Sequence, residues 1–385
     1  MGYQIILSFL LIFFSPALQA QVEAPDHDIQ IVFTSDAHFG ITRKHFRGDT
    51  DVSAMVVNRA LVQKINDLPQ MIIPHDGGVD QGRPVKAIDY VIEGGDIANR
   101  MEIPIQSAAV SWSQFDSDYI KGLHVWNHQG KPATLLVIPG NHDISDAIGF
   151  YKPMRHRRDP TSMVQIYNRM LHPRVPLTNR TYDYSKDRIN YSRNIGGVHF
   201  MFITLWPDSL ERIWMQKDLK TVPATTPVII FTHDEPVSEA KHFTNPNPGH
   251  TINDTARFEN LLATVYEDGN RVIKGHSVTT DEQLGWEDFL KQHPNIKAYF
   301  HGNTNFNQFY EYHGPDGKVS LPTFRVDSPM KGRYSKKDET KLSFQLITLD
   351  PDTRKMTVRE CLWNVNPSHP GKQIRWGSEK TVNLN

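Results

Sequence analysis

Four short segments of this chain gather side chains that bind metal ions: Asp36-Ala37-His38, Gly95-Asp96, Gly140-Asn141-His142-Asp143 and Thr232-His233. Carboxylate and amide oxygens combined with imidazole nitrogens make a mixed, fairly hard donor set. Such a set suits divalent ions of the Mn, Fe and Zn kind. A lone Asp-x-His would carry little information. Several such segments in one chain, each at the end of an apolar run, point to a shared site.

For these segments to meet, each apolar run must be a strand. In open α/β sheets the crevice beyond the carboxyl ends of the strands is where ligands bind, and residues distant in sequence converge there. Ile29 to Ser35 reads as a buried strand ending at Asp36, and Ala54 to Leu68 as the helix that follows. Ala87 to Ile92 and Thr134 to Ile138 are strands that deliver Asp96 and Asn141-His142. Between them Ile105, Ala109, Trp112, Phe115, Tyr119 and Leu123 recur at three or four residues, the stripe of a long helix with one buried face. Tyr151 to Arg188 is rich in Arg, His, Pro and Tyr, and its length marks a functional loop or cap. Asn190 to Asn194 and Val198 to Leu205 pair as a hairpin through Gly196-Gly197. Val228 to Phe231 leads to His233, and Ile296 to Phe300 leads to Gly302. The end of the chain is strand-rich through Phe309 to Tyr312, Phe344 to Leu349 and Met356 to Cys361. The alternation predicts an α/β fold, a four-layer α/β/β/α sandwich of two packed mixed sheets flanked by helices.

The 385 residues have 38% hydrophobic content and a net charge of −1, enough for one large core and without the basic bias of specific nucleic-acid binding. Ile5 to Phe14 is apolar except for Ser8, and Ala17-Leu18-Gln19-Ala20 follows, the layout of a secretory signal peptide cleaved near Ala20-Gln21. The run is shorter than the roughly 20 apolar residues of a membrane span. Residues 1–20 are therefore expected to be removed, leaving 21–385 as a single secreted or periplasmic domain with no transmembrane span. Cys361 is the sole cysteine, so no internal disulfide forms. No feature identifies a protein partner.

The motif order D-x-H, G-D, G-N-H-D and a single H resembles the calcineurin-like metallophosphoesterase superfamily, whose last motif is G-H-x-H. The likeness covers nearly all of the chain beyond the leader, and Val228-Ile-Ile-Phe-Thr-His-Asp-Glu-Pro adds to it. It implies two divalent ions, with Asp36 and His38 on the first, Asp96 bridging, and Asn141 and His233 on the second. It makes His142 the general acid and Asp143 the residue that orients its ring. The implied reaction is hydrolysis of a phosphomonoester or phosphodiester, on a small-molecule or lipid phosphate ester, by a metal-bridging hydroxide. Two cations about 3.5–4 Å apart clamp phosphoryl oxygens and acidify a shared water. Imidazole is the side chain best tuned to protonate a poor leaving group near neutral pH.

The chain departs from this pattern at Gly302-Asn303-Thr304-Asn305, where Asn303 and Asn305 stand in the histidine places. An amide oxygen ligates Zn more weakly than imidazole does, which moves the expected ions from Mn, Fe or Zn toward Mn, Mg or Ca. The alternative reading is a non-catalytic protein that binds a phosphate ligand or a metal on a degenerate scaffold. His301 is a candidate replacement ligand, and His276 reads as a loop histidine. Arg43, Lys44, His45 and Arg47 after the first motif, Asn99 and Arg100 after the second, and Arg155 to Arg158 read either as phosphate contacts or as solvated loops.

Overall fold

Ile29–Thr34 buries all six of its residues, because a strand covered on both faces has no polar side to show. This is β1 of a computed structural model that describes residues 27–99, 106–145, 159–183, 186–237 and 278–385. The leader, Arg100, Ile105, Arg155 to Arg158 and His276 lie outside the described residues. The strands that follow are β2 Thr42–Phe46, β3 Asp49–Ser53, β4 Tyr90–Glu93, β5 Thr134–Val137, β6 Tyr191–Ile195, β7 Val198–Phe202 and β8 Val228–Phe231. The remainder are β9 Ile296–His301, β10 Gln308–Tyr312, β11 Leu321–Arg325, β12 Ser343–Asp350, β13 Lys355–Leu362 and β14 Arg375–Asn383. Helices α1 to α6 span Ala54–Asp67, Ala108–Phe115, Asn141–Ser145, Thr161–Leu171, Ser209–Leu219 and Val278–Gln292.

Two six-stranded mixed sheets result, ordered β14-β13-β12-β1-β4-β5 and β10-β11-β9-β8-β7-β6. Strands β1, β4 and β5 run parallel in the first, and β7, β8, β9 and β11 run parallel in the second. The sheets pack face to face through aromatic rings. Phe33 of β1 meets Phe231 of β8 at 5.3 Å and Phe300 of β9 at 5.7 Å, edge to face, while Phe231 and Phe300 stack at 4.5 Å. The Tyr191 hydroxyl donates across the sandwich to the Val137 carbonyl at 2.9 Å. Helices flank both sheets. In α1, Asn58 donates to Ala37 O at 2.8 Å, and in α6, Trp286 packs at 6.1 Å from Tyr299 of β9. This is the expected sandwich of two mixed sheets and flanking helices. Among the described residues no helix is long and apolar enough to cross a membrane.

Local departures have local causes. The long helix expected through Ala109 is shorter: α2 gives way to a π turn over Asp116–Ile120. Its buried stripe is Ala108, Ser111, Phe115 and Tyr119, with Ala109 exposed, because Ser111 faces inward and donates its hydroxyl to Phe39 O at 3.1 Å. A polar residue with an internal partner hides the inward face from a count of apolar residues. Within the irregular stretch after Tyr151, α4 forms one regular element. The β6–β7 hairpin turns at Gly196 and Gly197, with φ of 56° and 74°, the two positive values that a type I′ turn demands. The β2–β3 hairpin was not expected, since its strands are mostly exposed and polar.

Phe231 sits at the centre of the sheet interface and two residues before His233. Phe231→Ala should therefore cost about 3–5 kcal/mol in urea unfolding with an unchanged m-value, and Phe231→Leu clearly less.

Candidate metal centre

The five segments singled out by their side chains follow parallel strands: Asp36 after β1, Asp96 after β4, Asn141 after β5, His233 after β8 and Asn303 after β9. Parallel order puts their carboxyl ends on one edge of the sandwich. Asp36, His38 and Asp96 have φ of 61°, 46° and 57°, values that cost a side-chain-bearing residue energy and persist only where surroundings fix them. The surroundings are a continued backbone pairing: Asp36 N to Gly95 O at 2.9 Å, His38 N to Asp96 O at 2.8 Å and Phe39 N to Ile97 O at 2.7 Å. Gly140 is needed for another reason. A Cβ there would lie 2.3 Å from Asp96 Oδ1 and 2.8 Å from His233 Cε1.

Asp96 Oδ2 is the hub. It lies 3.3 Å from His233 Nε2, 3.6 Å from His38 Nε2 and 3.8 Å from His142 Nε2, and His38 Nε2 lies 3.4 Å from Asp36 Oδ1. These spacings exceed those of charge-assisted hydrogen bonds, roughly 2.7–2.9 Å. They match donors around a cation with bonds of about 2.0–2.2 Å, which sit roughly 3 Å or more apart. Two donor groups share the hub, His38–Asp96–His142 and Asp36–Asp96–His233, with all ligand atoms of each within 4.8 Å of one another. Asp36 Oδ1, His38 Nε2 and His233 Nε2 are buried with no hydrogen-bond partner, so the donor set fits a cation that would satisfy them. His233 Nδ1 donates to Gly94 O at 2.8 Å, which fixes the ring and aims Nε2 at the hub.

The charges at the hub are tightly interdependent. Burial opposes charge on both partners, yet the His233, His142 and His38 rings hold Asp96 well below the usual carboxylate range, and Asp96 holds His233 well above the ordinary imidazole value. Burial, and then the Lys331 ammonium, push His38 down and His142 well down.

Other residues occupy less expected places. The Asp143 carboxylate does not orient the His142 ring; it accepts from Ile97 N at 3.2 Å, Ala98 N at 3.1 Å and Gly140 N at 3.0 Å, pinning two site loops together. Burial next to the Asp96 charge pushes its pKa up to about 7 against those amides. Asn141 is buried at the start of α3. Asn303 donates its backbone N–H to Asp36 Oδ2 at 3.1 Å and its side-chain amide to Glu235 at 3.1 Å. Asn305 donates its amide to Asn303 O, leaving a buried Oδ1 without a hydrogen bond. His301 does not swing toward the site, since its ring nitrogens meet Tyr310 Oη at 2.9 Å and Gly302 O at 3.1 Å. Arg43 is buried, with its guanidinium donating to the carbonyls of Pro329, Met330 and Ser335, so its charge is committed to the chain. Arg47 is likewise held by Asn364 at 2.9 Å. Asn99 is buried and donates its N–H to Phe39 O at 2.9 Å.

Sequence reasoning missed Lys331, whose Nζ lies 3.1 Å from His142 Nε2. The Ser328 hydroxyl places it, donating to Asp36 O at 2.9 Å and accepting from Met330 N at 3.1 Å and Lys331 N at 2.9 Å. The signal was available. Ser328 follows β11, another parallel strand, and the strand-end rule applies to it equally.

A family model described as calcineurin-like phosphoesterase matches residues 29–321. No curated protein matches the sequence. Among solved structures, a dimetal phosphatase from Danio rerio is similar at 10% identity and TM-score 0.48, over 93% of this chain and 99% of that one. A phosphopantetheinyl hydrolase from Mycobacterium tuberculosis shows 11% identity and TM-score 0.33, over 81% and 93%. A Vps29 from Entamoeba histolytica shows 8% and 0.33, over 93% and 100%.

If buried donors await a cation, Mn2+ should stabilise chelator-stripped protein. At a hundred times Kd the gain is about 2.7 kcal/mol per site. Thermal unfolding should show that shift in the wild-type chain and its loss in Asp96→Ala.

Proposed function

The chain belongs to the calcineurin-like phosphoesterase family, and from that premise we propose that it is a metal-dependent hydrolase of phosphate esters, working at the centre around Asp96. The observation that carries this reading is the buried Asp96 Oδ2 shared by three imidazoles, with unpartnered donor atoms on both sides. Asp36, His38 and Asp96 would hold one divalent ion, and Asp96, Asn141 and His233 a second. Asn303 and Asn305 stand where the family motif has histidines, and the buried Asn305 Oδ1 is the amide oxygen best suited to add a ligand. When bound, such ions polarise phosphoryl oxygens and acidify water.

The chain's own residues supply the rest. His142 is fixed by its backbone N–H, which donates to Asp96 Oδ1 at 2.8 Å, and its ring faces the Lys331 ammonium. In the free protein burial and the Lys331 ammonium keep the His142 imidazole neutral, with the proton on Lys331 Nζ 3.1 Å from His142 Nε2, and the negative charge of an arriving ester would draw a proton onto the imidazole for delivery. His142 is thus the general acid toward the leaving oxygen, with Lys331 behind it. Asp143 positions rather than reacts, by locking loop 95–98 to loop 140–143 through the Ile97 and Ala98 amides. The leader Ile5 to Phe14 supports export. The second reading, binding without turnover, is favoured by Asn303 and Asn305 themselves, since amide oxygens ligate more weakly than the imidazoles whose places they take.

A general acid matters in proportion to the basicity of the leaving group. His142→Ala should cut kcat/KM on an alkyl phosphate by about 10²–10⁴ and spare p-nitrophenyl phosphate by comparison. Equal losses on both esters would remove His142 from this role. Absence of turnover with every divalent ion, despite metal binding, would establish the second reading.

A further inference from the structure

Beside the metal centre lies a cleft of about 530 Å3 whose walls include Lys44, His45, Thr304, Lys331, Arg333 and Lys336, and among the described residues no carboxylate lines it. Its volume falls in the range of small-molecule sites. Gathering cations without an acid in the wall is unfavourable through self-repulsion, unless an anion completes the site. Arg43 also borders the cleft, but its charge is already engaged, by the Asp327 and Glu339 carboxylates and by the backbone carbonyls that its guanidinium meets. The Arg333 guanidinium lies 5.2 Å from the Phe306 ring and 5.9 Å from Tyr334, so aromatic faces hold it at the rim.

Two residues join the cleft to the metal centre. Lys331 lines the cleft while its ammonium touches His142, and Asn305 lines it while bonded to Asn303, whose N–H reaches Asp36. The cleft therefore opens on the His142 side. On the reading given above, the leaving oxygen faces His142, so whatever that oxygen carries enters the cleft.

We propose that the substrate is a small phosphate ester whose leaving alcohol carries a second phosphate, held by Lys44, Arg333 and Lys336. In the reaction water adds to phosphorus, the P–O ester bond breaks and the leaving oxygen takes a proton. A bisphosphate thus yields inorganic phosphate and a monophosphate. This inference rests on the hydrolase reading, and its test separates the two.

Calorimetric titration of the full chain, chelator-stripped and desalted, with fructose 1,6-bisphosphate and with fructose 6-phosphate examines the cleft apart from turnover. The expected result is binding of the bisphosphate about tenfold tighter or more, as several charge-assisted contacts would give. In the folded triple variant Lys44→Ala/Arg333→Ala/Lys336→Ala, that preference should fall below about threefold. Equal affinities in the wild-type chain, or a preference that the triple variant keeps, would overturn the inference. Turnover of the same esters with Mn2+ resolves the rest. A bisphosphate preference without hydrolysis of any ester leaves the anion subsite standing and removes the hydrolase, whereas hydrolysis without preference does the reverse.

Discussion

One carboxylate in a dry place organises this molecule. Asp96 is almost fully buried, and burial alone would drive it toward the neutral acid, yet three imidazoles around it keep it charged. Such a cluster is costly to assemble. Its left-handed backbone at Asp36, His38 and Asp96 adds local strain, which the paired loops after β1 and β4 contain. A fold that maintains charge, burial and strain at one point is maintaining a site, because nothing in the stability of the sheets requires it.

Why the cluster sits where it does follows from topology. Parallel strands end together, and the face-to-face packing of Phe33 on Phe231 and Phe300 brings the ends of two sheets to one edge. Neither sheet could make the site alone, since Asp36, Asp96 and Asn141 come from the first and His233 and Asn303 from the second. Interface packing and site geometry are therefore one problem. A shift between the sheets would change the distance from Asp96 to His233 before it changed any contact within a sheet.

The sequence disclosed the parts of this arrangement that depend on type and spacing. Strand-end Asp, His and Asn residues were visible because their partners are strands of continuous apolar composition, and the π turn and the Ser111 face were not, because one inserted residue or one satisfied hydroxyl breaks a periodicity count. Side-chain destinations were harder still. Arg43 and Lys44 are adjacent, both cationic and both at the cleft, yet the Arg43 guanidinium is buried against four carbonyls while Lys44 is exposed, a difference set by the alternation of a strand whose pairing was itself hidden in polar sequence. Asp143 looked like a ring orienter because of its position after His142, and its oxygens instead serve loops distant in sequence.

The anchoring of Arg43 also bears on entropy. Its guanidinium fastens the segment from Pro329 to Ser335, the same segment that the Ser328 hydroxyl ties to Asp36, so the cleft wall is rigid before any ligand arrives. Ordering a loop around a guest normally subtracts from affinity. Here that ordering is completed during folding, so the wall acts as a fixed template. On the bisphosphate proposal, a template of this kind would select by the separation between two anionic groups as well as by their charge.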